Sequence, residues 1–463
     1  MSKKYEKGLF IFHRDLRIAD NKGLMEASSQ CNKIYTCFIF TSDQVGNSNQ
    51  YRSNDAIQFM VQSLEDLTDE IKKSEGELSL FYGKQTTIIK QYIENHNIDC
   101  VFFNKDYTPY AVKRDNETAE FCKKHKVECI MCSDYYMYEP GTIKTGSNSV
   151  YKKFTPYYDE VLHKSVDTPK RKTINNMLKN SKKMDNHITI DRAFERFIKP
   201  NTKVLVHGGR VHGIAQLKKS LKEQSHYADT RDYFTKTTSL LSAYIKFGCI
   251  SIREVYHAYK EEYGLNSEFI RQLIWREFYA GLLYAYPLTQ DKSYTYQGIK
   301  WRTSKSDFEK WCKGETGYPL VDACMRQLNT TGYMHNRGRM VVANFLVKTL
   351  LLNWELGARY FATKLVDYDI ANNALNWQNI ASTGPYNSPY FRDMSSWIQS
   401  KKFDKDAEFI KKWVPELKDV PARDIHRWYQ VCKDEKYKDI KYGEPMVDYA
   451  EQKEKMLEMY KSV

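Results

Sequence analysis

Apolar and polar positions change rhythm along the chain. The first part carries short apolar runs: GLFIF at 8–12, KIYTCFIF at 33–40, DCVFF at 99–103 and VECIM at 127–131. Runs of this length predict buried strands. Between the second and third, Ile57, Met60, Leu64, Leu67 and Ile71 recur at helical spacing, with Ser53 or Asn54 as the cap. Strands alternating with helices predict a doubly wound parallel sheet, and we assign it to residues 1–135.

Residues 136–205 break the alternation. GTIKTGSNSVYKKFTP and TPKRKTINNMLKNSKKMDN are rich in Lys, Asn, Ser and Thr, and predict a linker that runs over the surface with a short helix or two. From 206 to 463 the strand rhythm is gone. SLLSAYIKF, SEFIRQLIWREFYAGLLYAY, YPLVDACMRQLN and GRMVVANFLVKTLLLNW all read as helices, so this part is expected to be all-α. In the last of them, Val341 to Leu352 reads as a core helix, while His335, Asn336, Arg337 and Arg339 crowd its start. Burying such groups unpaired costs several kcal/mol, so something polar is expected over that start.

Composition narrows the function. Aromatic residues make up 14% of the chain, a high fraction; they are bulky core fillers, but they also stack on flavins and bases. A formal net charge of +13 points to a polyanionic partner, the alternative being a Lys-rich surface that only keeps the chain in solution. No run reaches the ~18 apolar residues of a membrane span. The apolar run near the N-terminus is shorter than the about 7 residues of a signal-peptide core, so an intracellular protein without a membrane partner is expected. Cys129 and Cys132 form a CxxC with Cys122 and His125 ahead of it. There is no second CxxC, and reduced core thiols rather than a metal site are expected.

The segment after the first strand, FHRDLRIADNKGL, lacks a GxGxxG fingerprint. A nucleotide cofactor is therefore better sought in the helical part. There, Thr238, Ser239 and Ser242 precede an apolar helix, an arrangement that serves equally as a cap or as a phosphate cradle. In LVDYDIANNALNWQNIASTGPYNSPYFRD, residues 365–393, Asp367, Asp369, Asn373 and Asn376 lie beside Trp377. Such a cluster suits a ligand with many donors and acceptors, such as an isoalloxazine edge.

On FHRDLRIADN, NKDYTPYAVKRD, TSLLS, LIWREFY, TGYPLVDACMRQLNTTGYMHNRGRM and KKFDKDAEFIKKWVPEL, the chain resembles the DNA photolyase/cryptochrome family over nearly its whole length, most of all class I cyclobutane pyrimidine dimer photolyases. The resemblance implies an α/β antenna domain followed by a helical domain that encloses FAD. It implies that Tyr227, Thr238, Ser239, Leu240, Leu241 and Ser242 hold the diphosphate and ribityl chain. Gln272 and Asn336 would contact the bent cofactor, Asp369 would accept from the ring edge, Asn373 would sit near flavin N5, and Arg339 would pair with Asp367. Trp377, Trp354 and Trp301 fall where the family carries electrons to photoexcited flavin. Arg231, Arg337, Arg392 and Lys401, with Lys402 nearby, would meet DNA phosphates. Trp275 would wall the dimer pocket, and Met340 would touch the lesion.

The implied activity is light-dependent repair of cyclobutane pyrimidine dimers in damaged DNA by a monomer carrying reduced FAD. HNRGRM has Asn336 where the (6-4) photolyases usually carry a second His. A cryptochrome-type receptor is the first alternative, though the chain ends about fifty residues after WVPEL without the long tail many cryptochromes have. A basic helical nucleic-acid binder without cofactor is another. Two departures stand out: WQN places Asn379 where the family usually has Trp, and RDMSSWIQSKKFD replaces RIFNP, with Trp397 as a candidate substitute wall. Folate, deazaflavin, a second flavin or no antenna chromophore would all fit.

Overall fold

The computed structural model describes residues 3–463. Five parallel strands form one sheet: β1 (Tyr5–Phe12), β2 (Cys31–Phe40), β3 (Leu78–Tyr82), β4 (Cys100–Asn104) and β5 (Glu128–Cys132), in the order β3-β2-β1-β4-β5. Leu9 to Phe12 of the central β1 are fully buried. A strand covered on both faces shows a continuous apolar run, which made it visible in sequence. The sequence reading missed β3, whose LSLFY is shorter and interrupted by Ser79. VECIM overlaps β5, but only Val127, just ahead of the strand, is buried: as an edge strand β5 leaves Glu128 and Met131 exposed. Cys129 and Cys132 lie three residues apart on that strand, so their side chains leave opposite faces. Ser53, not Asn54, caps the Asn54–Lys73 helix.

The 136–205 segment contains the helices Phe154–Val161 and Ile190–Phe197, and between them it pairs with the sheet. The Ile34 N–H donates to Asn176 O at 2.9 Å, and Leu178 N–H to Ile34 O at 2.8 Å. Farther on, Tyr82 N–H donates to Asn186 O, and Ile188 N–H to Leu80 O, both at 2.9 Å. These bonds cover an outer edge that would otherwise be open to another chain.

The chain divides into two compact units. The first comprises Met1–Pro200, Val206–Ser225 and Ser239–Pro287, and the second Asn201–Leu205, His226–Thr238 and Leu288–Val463. The first unit therefore takes in helix α1 (Glu268–Ala285), which the division at 206 had grouped with the helical part. Its interior holds a buried charge cluster. Arg17 Nη2 lies 2.6 Å from Asp134, while Arg253 reaches Asp20 at 2.8 Å and Asp134 at 2.6 Å. This explains the polar FHRDLRIADN after β1: its Arg17 and Asp20 are structural ions, neutralised far along the chain. Removing one partner of such a cluster costs about 3–5 kcal/mol.

The second unit is helical, with α2 (Asn336–Asn344), α3 (Trp354–Lys364), α4 (Ile370–Ala381) and α5 (Ser396–Phe403) packed among others. Val341 to Leu352 is buried throughout, but it is not one helix. Helix α2 stops at Asn344, Phe345–Thr349 makes a π turn, Leu351 takes φ 59°, and Leu352 bridges to Arg302. Continuous burial hides such a break from periodicity. Among the described residues no helix is long and apolar enough to cross a membrane, and no group of three or more His, Cys, Asp or Glu could hold a metal.

Candidate functional site

The polar start of α2 and that of α4 each solve a local problem. Asp369 caps α4, its Oδ1 accepting from Asn372 N at 3.0 Å and Asn372 Nδ2 at 2.9 Å. Two residues earlier, Asp367 takes a forked contact from Arg339 Nη2, at 3.1 and 2.8 Å. Arg339 Nε donates to Met334 O at 2.9 Å, so the guanidinium is fixed from two sides. His335 caps α2 by accepting from Arg337 N at 3.1 Å. Burial pushes its pKa down to about 4, so the ring is neutral, as an accepting Nδ1 requires. Asn336 is exposed on the first turn, its amide 3.9 Å from the sulfur of Met340. Asn373, one turn into α4, donates to Ala358 O at 3.0 Å, and its amide oxygen accepts no hydrogen bond among the described residues.

Farther along α4, Trp377 is 3% exposed and packs against Phe361 of α3, with ring centroids 5.1 Å apart. Trp354 opens α3; it is 1% exposed, and its Nε1 donates to Ser293 Oγ at 2.9 Å. Just before it, Leu351 O accepts from Arg302 N at 2.9 Å, which lays half-buried Trp301 alongside the segment leading into α3. Of the three indoles, Trp377 and Trp354 are buried and Trp301 is half-buried. The sequence reading passed over Trp311, which is fully buried with its ring centroid 6.2 Å from that of Trp377. Nothing in FEKWCKG marks it out.

The remaining cofactor candidates are Tyr227, half-buried in a four-residue helix, and the 238–242 run. Leu240 takes φ 53°, a conformation disfavoured for a branched side chain, and the next residue, Leu241, is buried. Ser242 begins the short helix Ser242–Lys246. The hydroxyls of Thr238 and Ser239 are half-buried and make no hydrogen bond among the described residues, although Ser239 O accepts from Gln216 Nε2 at 2.9 Å. The unused hydroxyls of Thr238 and Ser239 could each donate to an anionic group, and the unused amide oxygen of Asn373 could accept from a polar ring. Gln272 is half-buried on α1, 3.5 Å from Glu268. One turn away, Trp275 lies flat on Phe154, the rings 3.5 Å apart and 3° from parallel. The next two residues of the motif are structural. Arg276 donates to Tyr135 O, and buried Glu277 accepts from Met137 N and Tyr138 N.

The expected phosphate contacts differ in their surroundings. Arg392 and Lys401 are exposed, and Arg231 is half-buried. Arg337 is drawn 2.5 Å from Asp232 and lies over Phe403, so any phosphate would share it with a carboxylate. Asn379 is a loop clasp: its Nδ2 donates to Tyr386 O at 3.3 Å, and its Oδ1 accepts from Ser388 Oγ at 3.1 Å. Trp397 packs between Tyr318 and Tyr429, at 4.6 and 4.8 Å.

Two family models match the sequence: DNA photolyase over residues 9–173, and the FAD binding domain of DNA photolyase over 269–462. The deoxyribodipyrimidine photo-lyase of Alkalihalophilus pseudofirmus is 32% identical, with 97% of each chain covered. An archaeal photolyase structure from Sulfolobus tokodaii, described with two FAD molecules, is 37% identical with a TM-score of 0.86, covering 99% of this chain and 100% of that one. A bacterial class III photolyase from Agrobacterium tumefaciens is 28% identical with a TM-score of 0.91, covering 100% and 98%.

Proposed function

The chain belongs to the DNA photolyase family and carries its FAD-binding domain, and on that footing we propose that it repairs cyclobutane pyrimidine dimers in DNA with light. The observation that carries this reading is the layout of α4. Its polar start, with Asp369 and Asn373, is followed one turn on by the buried Trp377, which packs on Phe361 of α3. When bound, reduced FAD supplies light-driven donation of one electron to the dimer.

Every other part falls to the protein. Asp369, fixed as a cap, would accept a hydrogen bond from the flavin, and Asn373 has a free amide oxygen to offer it. The forked Arg339–Asp367 pair would hold paired charge near it without adding net charge. Thr238 and Ser239 would donate to the diphosphate. Trp301, Trp354 and Trp377 would supply the electrons that keep FAD reduced. A dimer flipped from the duplex would stack on Trp275, whose ring is held by Phe154 and Tyr279. Flipping costs a few kcal/mol, least for a damaged base. Contacts from Arg231, Arg392 and Lys401 to phosphates offset that cost, and the net charge of +13 favours the encounter. Asn336 in HNRGRM supports the cyclobutane lesion over the (6-4) product.

The test is a dimer-containing oligonucleotide mixed with the reduced protein, in light and in darkness. Loss of dimers in light alone is the expected result. FAD-loaded, reduced protein that leaves the dimers intact under light would instead favour a signalling role.

A further inference from the structure

Lys348 occupies the π turn after α2 and is 2% exposed, among core neighbours such as Leu346, Val347 and Leu350. A methionine would fill that volume without bringing a charge into the core. What the ammonium adds is a bond: Nζ donates to the main-chain carbonyl of Arg392 at 2.5 Å. Four residues earlier, Asn344 Oδ1 accepts from Met394 N at 3.4 Å. The 392–394 segment is therefore held at two points by one buried element. Two charged groups face the ammonium. Asp393, which also accepts from Met394 N at 2.7 Å and from the Tyr449 hydroxyl, favours its protonated form, whereas Arg392 opposes it. Burial outweighs Asp393 and lowers the lysine to about 8.

The tethered segment ends the loop that Asn379 clasps at Tyr386 and Ser388, so half-buried Asn379 secures one end and buried Lys348 the other. Between and beside these ties stand Phe391, 63% exposed, and the exposed Arg392 side chain. The Arg392 carbonyl is fixed inward while its guanidinium stands in solvent. We propose that Lys348 is a positioning residue for DNA binding: by gripping the Arg392 carbonyl it aims the Arg392 guanidinium at a backbone phosphate. This rests on the reading above that the chain binds DNA through Arg392.

The test is a double-mutant cycle on the FAD-loaded full chain, with Lys348→Met, Arg392→Ala and the double variant titrated against dimer-containing and intact duplexes over a salt series. Losing one phosphate contact is expected to lower the salt slope by about one. Arg392→Ala and Lys348→Met should each show that loss, and adding Lys348→Met to Arg392→Ala should change neither affinity nor slope further. A general loss of packing would not reproduce that dependence on Arg392. Multiplying effects in the double variant, or an unchanged slope in either single variant, would overturn the proposal. Should Lys348→Met fail to hold flavin, Lys348→Gln takes its place in the cycle, judged by the same results. Equal wild-type affinity for both duplexes would count against dimer recognition, and the cycle on intact DNA would still report whether Lys348 acts through Arg392.

Discussion

Gly357 of α3 lies directly beneath the Trp377 ring: a Cβ at residue 357 would stand 2.1 Å from Cη2 of that indole. The absence of a side chain is what lets α3 and α4 approach closely enough for the indole to pack. Gly357→Ala should therefore destabilise the fold by about 1–3 kcal/mol through overpacking, despite the better helix propensity of Ala. It should also displace Trp377 and slow photoreduction of bound flavin. Denaturant melts and photoreduction rates on the same preparation check both. A variant as stable and as fast as wild type would mean that the indole can move aside without cost.

Trp377→Phe keeps the packing against Phe361 and removes the readily oxidised indole. Photoreduction of oxidised flavin should slow sharply, while dimer splitting by chemically reduced protein stays nearly unchanged. Paired rates for the two reactions make the check. Equal slowing of both would place Trp377 on the path to the lesion.

Trp275→Ala should weaken binding of dimer-containing DNA by about 5- to 150-fold, the equivalent of about 1–3 kcal/mol of base stacking. Intact DNA, held through phosphates, should bind nearly as before. Because Phe154 stacks on the same ring, Phe154→Ala should give a smaller loss with the same selectivity. Titrations at one fixed salt concentration measure both. Equal losses on both DNAs would make Trp275 a packing residue only.

Glu277 gives the fold a pH dependence. Burial raises its pKa from 4.5 to about 7, ahead of the opposing pull of Arg276. The folded chain then holds a proton that the unfolded chain has released between those values. The stabilisation is complete below 4.5 and is lost as pH rises through about 7. Asp15, Asp322 and Asp404, each raised by burial to about 6, slope the same way at lower pH. His335, lowered by burial to about 4, and His13, His96 and His426, lowered likewise, slope the opposite way below 6.5. The Glu277 contribution is therefore read as the difference in melting temperature between wild type and Glu277→Gln, which should decline as pH rises from 5 to 7. An identical slope in the variant would remove Glu277 as its source.

How much of this was legible in sequence depended on what each residue touches. Strands β1, β2 and β4 showed themselves because both their faces are covered. Strand β3, short and carrying Ser79 in its middle, did not. The π turn at Phe345–Thr349 was invisible because every position from 341 to 352 is apolar or buried regardless of local winding. The motifs pointed to segments, but they did not separate candidate contacts from structural residues. Within LIWREFY, Trp275 and Arg276 look equally functional on paper, yet Arg276 and Glu277 brace the 135–138 turn. Asn379 read as a missing aromatic, and only the hydrogen bonds to Tyr386 and Ser388 show what the amide does in its place.

The buried cluster of Arg17, Asp20, Asp134 and Arg253 also sets a timetable. Asp20 takes its ionic partner from Arg253, 233 positions later in the chain. At about 5–20 residues per second, a ribosome needs roughly 10–50 s to travel that distance. Over that interval the strands are completed while Asp20 lacks its cation and Asp134 has only Arg17. The first unit therefore cannot close from its N-terminus as it is synthesised, and it matures only once the 252–263 helix has emerged. During that wait the half-built sheet is the species that a chaperone would meet.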